Sequence, residues 1–236
     1  MERVYLDKFD GVSVEGAAAG HLKNVLRVKP GDVFAGYDGR SEFRLRVEEA
    51  RRGDVRVTVE SGRELPEAPG GRILLGASLI KGPRWDWLLE KAAELGVGEI
   101  APLAAARTVV RIDESETSEK VARWRRMLGA AAAQCAGRAP EIKAPERLED
   151  FIRRVAREKH KYVLLLKAGA KPLAELVRDA AGGRIVLLIG PEGDWTEEES
   201  DAALAAGFEA ATLGPLILRS ETAAIVSAAI SSNINL

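Results

Sequence analysis

Cysteine is almost missing from this sequence, so Cys135 has no internal disulfide partner. With only two histidines, His21 and His160, no Cys/His zinc site of ordinary spacing can be assembled. His-Glu-x-x-His is absent too, and no metal site is expected, although a carboxylate-only magnesium site stays open. A Gly-x-x-x-x-Gly-Lys-[Ser/Thr] loop is lacking, as is Gly-x-Gly-x-x-Gly after a strand, which sets aside the common ATP-binding and Rossmann dinucleotide readings. No 18-residue apolar run occurs, and Met1-Glu-Arg-Val lacks the apolar region of a signal peptide. The expectation is a soluble, cytoplasmic protein without a membrane partner. Amide side chains are scarce, one glutamine and three asparagines beside 24 arginines, as in heat-adapted or compositionally biased proteins.

What is present is enough for a core. Of 236 residues, 46% are hydrophobic, which suits one large domain or two small ones. Net charge is −1 but unevenly spread, since residues 71–160 hold 17 basic against 13 acidic side chains. A local excess of that kind serves either as a phosphate-holding patch or as a solvated helix face.

Period-two alternation of Phe43, Leu45 and Val47, and of Val55, Val57 and Val59, predicts half-buried strands, with turn signals at Lys29-Pro-Gly-Asp32 and Tyr37-Asp-Gly-Arg40. One helix carries Ala18, Leu22, Val25 and Leu26, and a closed small barrel is the economical packing. The stretch Glu64-Leu-Pro-Glu-Ala-Pro-Gly-Gly71 is the best boundary, giving domains 1–68 and 72–236.

Beyond it, strands are predicted at 73–79, 100–103 and 162–166, and helices at 83–95, 118–135 and 172–181. Another helix, marked by Leu148, Phe151, Ile152 and Val155, is predicted to end near Lys159-His160. Trp85 and Trp87 fall on different faces of their helix and are expected to pack. Cys135 continues the stripe Val121, Trp124, Leu128, Ala131/Ala132 and is expected in the core. Lys120, Arg123 and Arg126 lie off that stripe. Strand and helix alternate from 162 to 230, the pattern of an α/β parallel sheet.

The most informative run is Ile185-Val-Leu-Leu-Ile-Gly-Pro-Glu-Gly-Asp-Trp195. Five apolar residues ending at Gly190-Pro191 predict a buried strand and a tight turn, and Thr196-x-x-Glu199 has capping-box spacing for a helix reaching about Gly207. A second strand at 208–213 leads to Gly214-Pro215, after which Ser220 is placed to cap a closing helix. Two strand ends followed by glycine turns and helices are where open parallel sheets bind ligands.

Ile189-Gly-Pro-Glu-Gly193 with Leu213-Gly-Pro-x-Ile-Leu-Arg-Ser-Glu-Thr-Ala223 resembles the paired signature of the RsmE family of SPOUT-class RNA methyltransferases. His21-Leu22, Val25-Leu-Arg27, Lys81-Gly82, Leu89-Glu-Lys-x-x-Glu-Leu-Gly96, Gln134-Cys135 and Pro140-Glu-Ile142 extend the resemblance over nearly the whole chain, in family order. Asp194 stands where the family usually has glycine, and Ser220 where it usually has threonine.

The resemblance implies a SPOUT-type parallel sheet with a C-terminal trefoil knot, preceded by a PUA-like β-barrel that binds RNA. It implies methylation of uridine N3 in 16S ribosomal RNA of the small subunit, with S-adenosyl-L-methionine as donor, by a homodimer. Carried over residue by residue, Leu166, Ile189, Gly190, Glu192, Gly193, Leu213, Gly214, Leu218, Arg219, Thr222 and Ala223 hold the cofactor. Arg219 is the catalytic cation and Glu221 either proton acceptor or orienting partner, unless the two only form a salt bridge. His21, Lys23, Arg27, Arg107, Arg123 and Arg126 are the RNA candidates. Another RNA position, a ribose hydroxyl, or a non-catalytic role in ribosome assembly are the alternatives, and cofactor binding separates the last from an enzyme.

Overall fold

A computed structural model describes residues 3–232 except Lys8, Arg52, Arg111, Ile112, Ala168 and Ala181. The first unit contains β1 (Arg3–Tyr5), β2 (Ser13–Glu15), helix α1 (Gly16–Asn24), β3 (Val33–Tyr37), β4 (Ser41–Arg51) and β5 (Asp54–Glu64). They form one sheet in the order β1-β3-β4-β5-β2, with Leu45, Val47, Val55 and Val57 buried as the alternation requires. Val59 is 39% exposed, because β5 from Thr58 onward has lost its cover. This sheet is compatible with a small barrel, and an isolated bridge from Phe9 to Val14 links the segment after β1 to β2. Among the described residues no ladder joins β1 to β2, and α1 packs against β1, β2 and β5, burying Ala19 and Leu22.

The second unit runs through β6 (Ile73–Ser78), α2 (Pro83–Glu94), β7 (Glu99–Ala104), α3 (Glu114–Cys135), β8 (Glu141–Ile142), β9 (Glu146–Arg147) and α4 (Leu148–Arg154). It continues with β10 (His160–Leu164), β11 (Lys171–Pro172), α5 (Leu173–Leu176), β12 (Ile185–Ile189), α6 (Glu197–Ala205), β13 (Glu209–Thr212) and α7 (Ser220–Ser232). All its ladders are parallel, in the order β11-β13-β10-β12-β6-β7-β8, with β9 also on β7. Helices cover both faces, so β12 is apolar throughout: Ile185, Leu187 and Ile189 join the core under α2, α3, α5 and α7, and Val186 and Leu188 the core under α4 and α6.

Several boundaries differ from the sequence pattern, each for a local reason. Helix α3 starts at Glu114 rather than Ser118, because the Asp113 carboxylate accepts the Ser115 amide at 2.9 Å and caps it. Helix α4 stops at Arg154 and β10 begins at His160, which pairs with Ile185. Arg153 and Arg154 then provide the cations near the helix end, not Lys159 and His160. The helix expected over 172–181 breaks into α5 and a 3₁₀ turn at Val177–Asp179. There the Leu176 carbonyl accepts from the Tyr162 hydroxyl (3.0 Å) and that of Ala180 from Arg72 (2.7 Å).

Cys135 is exposed rather than in the core, since it is the last residue of α3, just before Ala136 turns left-handed at φ 62°. Ser220 is the first residue of α7 instead of its cap, and the Arg219 carbonyl accepts from the Ala223 amide at 2.8 Å. Trp85 is buried against Trp124, whereas Trp87 is exposed.

The two units meet along α3. A Cβ on Gly129 would lie 2.1 Å from the Tyr5 ring, so glycine is what lets β1 approach this helix. Beside it the Tyr37 hydroxyl donates to the Gly137 carbonyl (2.8 Å), and Tyr37, Leu65, Ala132 and Ala133 form a small apolar cluster.

Candidate active site

Strands β13, β10 and β12 lie side by side in the sheet, with β10 between the two strands that follow it in sequence, and their carboxyl ends open into one cavity of about 360 Å³. Its walls are Leu164, Leu165 and Leu166 at the end of β10, Ile189-Gly-Pro-Glu192 and Asp194 at the end of β12, and Ala211 to Gly214 at the end of β13. Leu216 to Ser220, with Ala223 of α7 and Arg84 of α2, complete it. A mostly apolar cavity with a few polar groups, within the roughly 300–1,000 Å³ of small-molecule sites, is what a ligand pocket requires.

The first loop is tightly built. The Pro191 carbonyl accepts from the Asp194 amide (3.0 Å), and Trp195 is buried with its indole against Gly190. A Cβ on Gly190 would come within 3.1 Å of the indole nitrogen. Asp194 takes φ 60°, the left-handed region open to glycine and, among other residues, best tolerated by Asn and Asp. Its carboxylate accepts the Trp195 amide at 2.8 Å, which is how aspartate fits a place usually held by glycine.

The predicted capping box is present, with Glu199 N to Thr196 Oγ1 at 3.2 Å and Thr196 N to Glu199 Oε2 at 3.0 Å. Glu199 also accepts the Ala106 amide (2.7 Å). Arg107 donates to the carbonyls of Gly193 (2.8 Å) and Trp195 (3.4 Å), so it props the loop from outside.

In the second loop, Gly214 at φ 122° needs glycine, and its amide donates to Thr212 Oγ1 at 3.2 Å. Leu216 and Ile217 are 74% and 80% exposed at the rim.

Of the expected cofactor residues, Leu166, Ile189, Gly190, Glu192, Leu213, Gly214, Leu218, Arg219 and Ala223 line the cavity. Gly193 and Thr222 do not; a Cβ on Gly193 would face Arg107 instead. Arg219 is exposed at the cavity edge. The alternative role for the pair, a salt bridge between Arg219 and Glu221, is not formed. Glu221 is 5% exposed, its Oε1 lies 3.8 Å from Arg84 Nε, and its Oε2 has no hydrogen-bond partner. Arg84 also donates from Nη1 to Glu192 Oε1 at 3.3 Å. Arg84 was missed in the sequence, although Lys81-Gly82 followed by Pro83 already marked a helix start that would present the next side chain.

The RNA candidates are dispersed. Lys23 on α1 reaches the Arg51 carbonyl, and Arg27 just beyond α1 is exposed at φ 54°. Arg123 makes a two-pronged pair with Asp86 (2.9 and 2.5 Å), while Arg126, exposed one turn on, reaches only the Ala122 carbonyl (3.4 Å). Burial raises the Tyr5 hydroxyl pKa, Asp7 and Asp38 add to this, and Arg125 and Arg126 oppose it, which puts these cations at the seam between the units.

A family model described as an RNA methyltransferase domain matches residues 66–232. The ribosomal RNA small subunit methyltransferase E of Synechocystis sp. is 31% identical, covering 92% of this chain and 71% of its own. That of Mycobacterium tuberculosis is also 31% identical, over 91% and 83% respectively. The crystal structure of a ribosomal RNA small subunit methyltransferase E from Neisseria gonorrhoeae bound to S-adenosyl methionine superposes with a TM-score of 0.81, at 29% identity, covering 97% and 95% of the two chains. A Legionella pneumophila structure with the bound cofactor SAM gives 0.86 at 32% identity, covering 97% and 96%.

Proposed function

This chain belongs to the RNA methyltransferase family, among the ribosomal RNA small subunit methyltransferases E, and on that premise we propose that it methylates N3 of a uridine in 16S ribosomal RNA from S-adenosylmethionine. The observation that carries this reading is the single cavity built by the two Gly-Pro loops and the end of β10, with Arg219 at its edge. The residues suit the cofactor. Gly190 and Gly214 bring backbone to the cavity wall, apolar side chains can face a nucleoside, and Glu192 and Asp194 supply negative charge for a cationic ligand.

When bound, the cofactor supplies an electrophilic methyl group on a sulfonium. The loops' share is to hold donor and acceptor in line, which accounts for much of the catalysis in such transfers. The target base has to be unstacked to enter. As N3 loses its proton to solvent at the open rim, negative charge grows on the uracil carbonyls. Arg219 stabilises it. Glu221 takes the orienting role, because its ion-pair partner is Arg84 and it is buried behind the cavity wall.

The first unit, residues 1–68, acts as a PUA-like RNA-binding barrel, and 72–236 as a SPOUT domain whose last segment is threaded as a trefoil knot. His21, Lys23, Arg27, Arg123 and Arg126 then meet ribosomal RNA in the assembled small subunit, in the cytoplasm. The left-handed backbone of Arg27 supports its part, since non-glycine residues held there carry strain that concentrates at functional sites.

The working unit is a homodimer, supported by the exposed Leu216 and Ile217 at the rim and by the small-residue helix α7. Light scattering should report about twice 25.4 kDa; a monomer at every concentration would remove this part of the reading. The activity itself is tested by mapping 16S ribosomal RNA from a strain lacking the protein. A 3-methyluridine should disappear there and return on incubation of those subunits with protein and S-adenosylmethionine. Loss of a ribose methyl or of a different base modification would refute the N3 assignment.

A further inference from the structure

Two cations border the cavity, and the methyl-transfer reading uses only Arg219. Arg84 is placed oddly for a structural residue. It is the second residue of α2, where the helix dipole disfavours positive charge. Its ion-pair contacts are also poor, a single 3.3 Å hydrogen bond to Glu192 and a 3.8 Å approach to Glu221, and its side chain is 47% exposed. Opposite its Nε stands a carboxylate that is 5% exposed and has one oxygen without a partner. Burying that charge is expensive, and Arg84 is the cation that offsets it. The Nε side is therefore anchored, while the outer Nη face, a planar fork suited to two anionic oxygens, holds Glu192 by one long bond.

We propose that Arg84 binds a backbone phosphate of the target RNA strand, with Glu221 as its buried anchor and Glu192 as the carboxylate that the phosphate displaces. This rests on the methyltransferase reading and adds an RNA-binding residue to the cavity rim. Its neighbours favour a polyanion over the cofactor's lone carboxylate. Asp86, two residues on in α2, holds Arg123 of α3. Arg126 follows one turn along, and Gly129, three residues further, touches Tyr5 of the first unit. Arg123 and Arg126 thus place further cations on α3, between α2 and the seam with the first unit. A polyanionic strand can use these as well as Arg84, whereas a single carboxylate in the cavity can use only Arg84.

The test measures binding of unmethylated small ribosomal subunits over a potassium chloride series at fixed magnesium, with calorimetry of S-adenosylmethionine in parallel. Arg84→Ala should weaken subunit binding several-fold and lower the salt slope by about one, as for one lost phosphate contact. Its cofactor affinity should change less than about twofold. Arg84→Lys should restore the slope but only part of the affinity, since lysine has the charge without the fork. Glu192→Gln, which removes the competing carboxylate, should tighten subunit binding.

An unchanged salt slope in Arg84→Ala overturns the proposal. If that variant instead loses cofactor affinity at constant slope, the anion is the cofactor's carboxylate and the proposal is again wrong. If Glu192→Gln and Arg84→Ala lose subunit affinity and melting temperature alike, Arg84 is only a loop bridge. Failure of the wild type to bind S-adenosylmethionine at millimolar concentration would sink the methyltransferase reading separately.

Discussion

Arg219→Ala should cut single-turnover methylation of small subunits by about 10²–10³, the loss usual when one preorganised electrostatic donor is removed. Cofactor affinity and melting temperature should stay nearly unchanged, because the guanidinium is exposed at the cavity edge and Glu221 pairs with Arg84 instead. Arg219→Lys should recover only part of the rate. The pairing makes a second distinction. Arg84→Ala and Glu221→Gln should be strongly non-additive in melting temperature, since each disturbs the same buried charge, whereas Arg219→Ala and Glu221→Gln should nearly add. A stable, cofactor-competent Arg219→Ala protein that turns over normally would take Arg219 out of the mechanism.

Gly190→Val should abolish calorimetric binding of S-adenosylmethionine, a loss of more than about 10² in affinity. Even a Cβ at this position would stand 3.1 to 3.3 Å from three atoms of the Trp195 indole, and valine adds two methyls that have only the ring or the cavity to enter. Trp195 is 5% exposed and packed on β12 and α6, so it cannot yield cheaply. Overpacking of this kind costs about 1–3 kcal/mol, and the protein should stay folded with a lower melting temperature. Normal binding by a folded Gly190→Val protein would mean that the cavity is not the cofactor site.

Much of this is legible in the sequence. The run Ile185–Ile189 had the length and composition of a buried strand and is β12 to the residue. The Thr196/Glu199 box and the Gly-Pro turns depend on neighbours within four residues, so local chemistry sufficed. The errors fell where a distant group intervened. Tyr162 takes the Leu176 carbonyl, which a helix at 172–181 would have used for the Ala180 amide. Cys135 kept the helical period but lies where α3 ends, and periodicity does not register a helix end.

The candidate site divides along the same line. Which backbone would turn, and at which glycines, was determined by the sequence alone, since left-handed φ and close approach are local steric properties. That the ends of β10, β12 and β13 share one cavity was decided by the sheet order, which places β10 between β13 and β12. Charge pairing was decided there too. Arg219 and Glu221 are two residues apart, yet at the start of α7 Glu221 is buried facing Arg84, 137 positions earlier in the chain, while Arg219 stays exposed at the rim. Coulomb attraction acts through space, and only the tertiary structure determines which charges become neighbours.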